Sequence, residues 1–275
     1  MPTQPEKAAT FHQLHHRKEP LIVANPWDAG TARILAALGF EAFSTTSGGL
    51  AITLGRRDGT ASITRDEALA NAKAIVEATH LPVAADLENG YGDSPQAAAE
   101  TIRLAAEAGL VGGSIEDATN NPAHPIYDFD HAVERVSAAV EAARALPFPF
   151  MFVARAENYL HGKPDLNDTI RRLQAFEQAG AEVLYAPGLT HAEDIKAVCT
   201  AVSKPVNVLA GLKGAPHLSV AELAALGVRR ISLGSALNRA ALSAFIQASR
   251  EIKEKGTFTF AAETFSSSEI ADLVS

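Results

Sequence analysis

The stretch "PVAADLENGYGDSPQAAAETIRLAAEAGLVGGSIED", residues 82–117, carries a whole structural unit. Val83-Ala84-Ala85 is a short apolar run that ends in two acids, Asp86 and Glu88. A small turn follows, Asn89-Gly90-Tyr91-Gly92. Ser94 and Pro95 then have the order of an N-cap and a first helical position. The segment 94–109 shows helical periodicity and stops at Gly109, a residue suited to a left-handed cap. A second apolar run begins at once and ends in Glu116 and Asp117. Strand, helix and strand in this order form a parallel βαβ unit.

The same unit recurs along the chain. Apolar runs lie at 21–25, 42–46, 82–87, 112–117, 150–155, 182–187, 205–210 and 229–234. None alternates strictly, as expected of strands covered on both faces. The helical tails "AALGF", "AEAGL", "EQAGA" and "AALGV" each place Gly after the last turn. Eight strands alternating with helices predict an α/β fold, a (β/α)8 TIM barrel. A doubly wound open sheet is the rival, but no G-x-G-x-x-G turn follows the first strand. The reading is a single domain over 1–275, with a long helix near 235–255. The segment 256–275 is a C-terminal helical extension, expected at a subunit interface.

Composition narrows the function. The chain has 275 residues, 47% hydrophobic content and a net charge of −8. No basic stripe suggests nucleic acid or a membrane surface as partner. No run approaches the length of a membrane span, and Cys199 is the one cysteine. A cytoplasmic location is the expectation. "HQLHH" (12–16) reads as part of a polar N-terminal helix, and Cys199 as a buried filler.

In a TIM barrel the chemistry sits at the C-terminal ends of the strands. Asp86, Glu88 and Glu116 therefore converge, and three carboxylates need a counter-charge. Mg2+ suits them, with Mn2+ as the alternative. Arg155 offers a planar fork to a substrate carboxylate. The Ser47-Gly48-Gly49 turn offers N–H groups and a hydroxyl. Metal, arginine and N–H nest together fit a small 2-oxo acid. Trp27 and Asn207, near the ends of strands one and seven, join Ser47, Gly48 and Arg155 as candidate substrate contacts. Lys213 reads as an exposed loop lysine within reach of the same mouth.

The stretches "NPWDAGTARILAALGFEAFSTTSGGLA", "RRDG", "ADLENGYGD", "GGSIED", "VARAENYL", "PVNVLA" and "ISLGSALNRAAL" resemble the isocitrate lyase/phosphoenolpyruvate mutase superfamily. The resemblance spans residues 10 to 255. It implies a (β/α)8 barrel, Mg2+ held largely through waters, and a pyruvate-like enolate. It also implies Asp86, Glu88 and Glu116 as the metal cluster, with Asp58 as an outer carboxylate. Ser47, Gly48 and Arg155 become holders of the substrate carboxylate. Homo-oligomers, tetramer or dimer, packed through C-terminal helices are implied too.

The departures matter. The loop after strand four reads "EDATNNPAHPIYD", without the cysteine motif of the isocitrate and methylisocitrate lyases and without the lysine of the mutases. Asn120 or Asn121 stands in for the lid asparagine, and His124 is the candidate acid/base. The expected function is a Mg2+-dependent lyase or hydrolase that cleaves a C–C bond of an oxaloacetate-like 2-oxo acid. The alternatives are P–C chemistry on phosphonopyruvate or phosphoenolpyruvate, and a non-catalytic 2-oxo acid binding protein.

Overall fold

The computed structural model of the chain describes residues 1–211 and 218–275, so Lys213 lies outside the described residues. The chain begins with α1 (Gln4–His16), β1 (Leu21–Val23), α2 (Ala29–Ala37), β2 (Phe43–Ser44), α3 (Ser47–Thr53) and α4 (Arg65–Ala78). It continues with β3 (Val83–Asp86), α5 (Pro95–Glu107), β4 (Gly112–Glu116), α6 (Phe129–Arg144), β5 (Met151–Arg155) and α7 (Leu166–Ala179). Then come β6 (Val183–Tyr185), α8 (Ala192–Ala201), β7 (Val206–Leu209), α9 (Val220–Ala225), β8 (Arg230–Ser232), α10 (Ala236–Lys255) and α11 (Ser267–Val274).

The eight strands are parallel, in the order β1-β8-β7-β6-β5-β4-β3-β2. This is the expected TIM barrel. Helix starts and stops follow the sequence signals: Ser94 accepts from the Ala97 N–H at the start of α5. Gly109 and Gly180, with φ of 92° and 104°, end their helices in the conformation that suits glycine.

Closure is thin. β1 and β2 meet only through an Ala24–Phe43 bridge and the Ser44 N–H donating to the Ala24 carbonyl at 3.0 Å. Asn25 spans the seam. Its Nδ2 donates to the Ser44 and Thr45 carbonyls at 2.9 and 3.0 Å, and its Oδ1 accepts from the Leu233 and Gly234 N–H groups at 2.8 and 2.9 Å.

Alternation along each strand separates two cores. Val83, Ala85, Phe152, Ala154, Val206, Val208 and Ile231 face the helices. Ala84, Met151, Val153, Val183 and Tyr185 face the barrel interior, where α1 plugs the bottom with Ala8 and Phe11. A Cβ added at Gly112 would sit 3.0 Å from the Phe11 ring, so the plug needs glycine there. His12 and His16 stack on the outside of α1, and His15 is buried with Nδ1 donating to the Phe11 carbonyl.

The C-terminal extension forms a 3-10 turn (Thr259–Glu263) and α11, which returns to α2, where Arg33 donates to the Val274 carbonyl at 2.8 Å. Only Asn238 of α10 is buried, while Phe245 is 67% and Phe265 70% exposed. No helix among the described residues is long and apolar enough to cross a membrane.

Candidate active site

The interior of the barrel opens at the strand C-termini into one cavity of about 660 Å³, its open mouth included. Ser47, Gly48, Asp58, Asp86 and Arg155 lie at the mouth, and Asn207, Arg230 and Ser232 lie lower. The turn after β3 is forced into place: Glu88, Gly90 and Tyr91 have φ of 48°, 80° and 58°. Non-glycine residues in this region cost about 1–3 kcal/mol each and gather at functional sites.

Arg155 is the centre of the charge network. Its Nη1 lies 2.8 Å from Asp86 Oδ1, its Nη2 3.1 Å from Glu116 Oε2, and its Nε 2.8 Å from Glu157 Oε1. Burial opposes its charge, but Glu157, Glu116 and Asp86 together hold it firmly protonated. Burial pushes Glu116 well above the usual carboxylate range, with Arg155 opposing. Below the guanidinium, the Tyr185 ring lies 5.2 Å from Cζ. A second layer braces the same strand ends: Arg172 donates to Asp117 and Asp168, and Asp117 accepts the Glu157 N–H.

Two of the expected substrate contacts already have partners within the protein. Ser47 does not point its donors at open space: its N–H and Oγ donate to Asp86 Oδ2 at 3.2 and 2.7 Å. Arg155 likewise turns three of its five N–H donors to acids, which leaves one N–H on each terminal nitrogen for a substrate carboxylate. Asp86 is thus gripped from both sides, and Gly48 remains beside it on the cavity wall. A side chain at Gly48 would run into the Asp58 carboxylate, only 2.6 Å from its Cβ position, which brings Asp58 to the mouth.

Trp27 does not line the cavity. Its Cβ packs against Gly49, and its carbonyl accepts from Asn71. Asn121 and His124 do not reach the cavity either. Both are exposed on a turn closed by the Ala118–Ile126 bridge, where Asn121 Oδ1 accepts the Ala123 N–H. Asn120, not Asn121, borders the neighbouring groove with Glu88 and Tyr91.

No three His, Cys, Asp or Glu side chains among the described residues come close enough to hold an ion directly. Asp86, Glu88 and Glu116 are therefore not a set of three direct ligands, and Glu116 is already paired with Arg155. The donor chemistry still fits a hard cation. Burial, Asp86 and Asp58 raise Glu88 to about 7, so this carboxyl stands close to other acids with too little positive charge to offset them. Mg2+ keeps several waters and takes one or two carboxylates. Asp86 would hold it, with Glu88 and Asp58 reaching it through water.

Sequence reasoning missed Asn25, Glu157 and Arg230 as parts of this site. The signal for Arg230 was present in "RRISLG": Arg230 and Ser232 share the inward parity, while Ile231 faces the helices.

The family pattern described as phosphoenolpyruvate phosphomutase matches residues 11–253. A structure from Burkholderia cenocepacia J2315, provisionally assigned as a lyase/mutase, superposes with a TM-score of 0.95. It is 57% identical, covering 98% of this chain and 95% of that one. The 2,3-dimethylmalate lyase of Eubacterium barkeri is 30% identical over 80% of this chain and 77% of its own length. An oxaloacetate decarboxylase of Paraburkholderia xenovorans is 29% identical over 82% and 74%. The chain therefore belongs to the phosphoenolpyruvate phosphomutase family, within the isocitrate lyase/phosphoenolpyruvate mutase superfamily of lyases and mutases.

Proposed function

We propose that the protein is a Mg2+-dependent lyase that cleaves a C–C bond of a small, oxaloacetate-like 2-oxo acid. Asp86 carries this reading: it faces the mouth of the cavity, fixed by Arg155 on one oxygen and Ser47 on the other. A carboxylate so fixed is preorganised to hold a cation. When bound, the ion would polarise the 2-oxo group and offset negative charge developing on its oxygen. Arg155 holds Asp86, Glu116 and Glu157 in place. Glu88 and Asp58 orient water on the outer side.

Cleavage at C3 of such a substrate needs no protein nucleophile. The curated relatives named as a dimethylmalate lyase and an oxaloacetate decarboxylase support C–C chemistry. The absence of a lid lysine, and Ala186-Pro187 at the end of β6, argue against P–C chemistry. A homo-oligomer joined through α10 and the tail is part of this proposal, supported by the exposed apolar side chains there.

The test is direct. Purified protein with Mg2+ should release pyruvate from oxaloacetate or a related 2-oxo acid, and EDTA should stop it. Phosphate release from phosphonopyruvate without C–C turnover would replace this reading with the P–C one.

A further inference from the structure

Two guanidinium groups line one cavity, and only one of them is neutralised. Arg155 has three carboxylates. Arg230, at the start of β8, is 4% exposed, and its Nε and Nη1 have no hydrogen-bond partner. No Asp or Glu forms an ion pair with it among the described residues, although it lines the same cavity. Its surroundings are uncharged. The Phe11 ring lies beneath it, 6.0 Å from Cζ, at the outer limit of a cation–π contact. Tyr185, Asn207 and Arg230 are neighbours across β6, β7 and β8. Burial holds Tyr185 neutral, and His15 is neutral too. Burial lowers Arg230 to about 10, so it stays charged at neutral pH.

A buried cation without a partner is destabilising, and its neighbours are half-satisfied as well. Asn207 Nδ2 donates to Ser232 Oγ at 2.9 Å, but Asn207 Oδ1 is buried without a donor. Turning that amide by half a rotation lets Oδ1 accept from the Ser232 hydroxyl and presents Nδ2 to the cavity. A bound anion would satisfy both residues at once.

We propose that Arg230, with Asn207 and Ser232, forms an anion-binding floor of the cavity that receives a carboxylate of the substrate. The identity of that anion as a short 2-oxo acid rests on the lyase reading above. Arg155 organises the acids at the mouth, and Arg230 adds an unneutralised charge deeper in the same cavity.

The experiment uses full-length protein with Mg2+, and pyruvate and malonate as probes. Calorimetric titration and melting curves would be recorded for wild type, Arg230→Met, Arg230→Lys and Asn207→Leu, with oxaloacetate turnover alongside. Arg230→Met should weaken binding about 10- to 100-fold, the loss of a hydrogen bond to a charged group. Arg230→Lys should restore part of it. Without probe, Arg230→Met should melt no lower than wild type, which a purely structural arginine would not allow.

Unchanged binding in a folded Arg230→Met protein overturns the proposal. If that variant does not fold, unchanged binding in both Arg230→Lys and Asn207→Leu overturns it. The two readings separate cleanly. Turnover with Arg230-independent binding removes the floor and keeps the lyase. Arg230-dependent binding without turnover keeps the floor and removes the lyase. A wild-type protein that binds neither probe removes the floor.

Discussion

Arg155 Nη1 on β5 stands 2.8 Å from Asp86 Oδ1 on β3, across the intervening strand β4, whose Glu116 takes Nη2. One side chain thus ties the ends of three strands at the mouth of the barrel.

Replacing Arg155 by Met should be costly, because it strands Glu116, Glu157 and Asp86 without their cation. Breaking a buried ion pair by removing one partner costs on the order of 3–5 kcal/mol. Urea denaturation should show that loss as a lower midpoint. A change within 1 kcal/mol would mean that the acids relax or find other partners.

Asp86→Asn keeps the shape and removes the charge. Turnover should fall on the order of 10²–10³-fold, as for other removed electrostatic groups, with the far-ultraviolet circular dichroism unchanged. Retained Mg2+-dependent activity would remove Asp86 from its proposed role.

Asn25→Ala deletes four hydrogen bonds at the seam between β8, β1 and β2. At about 1 kcal/mol each, the net loss is on the order of 2–4 kcal/mol. The melting temperature should fall by several degrees. Faster amide exchange should appear first at Ser44, whose N–H bridges to Ala24.

His15 predicts an acid-side weakness. Burial first, then the charge of Arg230, lowers it to about 3 from an ordinary 6.5. The unfolded chain therefore takes up a proton between those values while the native protein does not. Stability falls as pH drops below 6.5, and the loss stops near 3. Between pH 7.5 and 5.5 this group alone contributes about 1.4 kcal/mol. His15→Phe should flatten the pH dependence of the urea midpoint over that interval, and an unchanged slope would contradict the assignment.

Cys199→Ser should leave turnover within a few-fold. Cys199, on α8, is half-buried rather than the buried filler expected; its side chain packs beside Gly227, and partial burial raises the thiol to about 11, so it is no nucleophile at neutral pH. A large loss in the folded variant would place the chemistry elsewhere.

The linear sequence determined the barrel itself. Short apolar runs, helical periods and capping glycines are local signals, and each acts within a few residues of where it is written. Gly39, Gly109, Gly180 and Gly227 all take the left-handed conformation their positions demanded. The placing of Asp86 and Glu116 at one end of the barrel was legible for the same reason, since strand ends in a parallel barrel meet at one face. The occupancy of the charges was not. "VARAE" says that Arg155 reaches the mouth, but not that Asp86, Glu116 and Glu157 each meet one of its nitrogens. "TNNPAH" presents Asn121 and His124 as lid residues, yet the turn closes on itself and leaves them in solvent. Two adjacent arginines open the run "RRISLG". Only the folded barrel puts Arg230 inside, because strand parity and the Phe11 plug fix which of the two is buried. Pairing and desolvation depend on distances between distant segments, and those exist only once the barrel has closed.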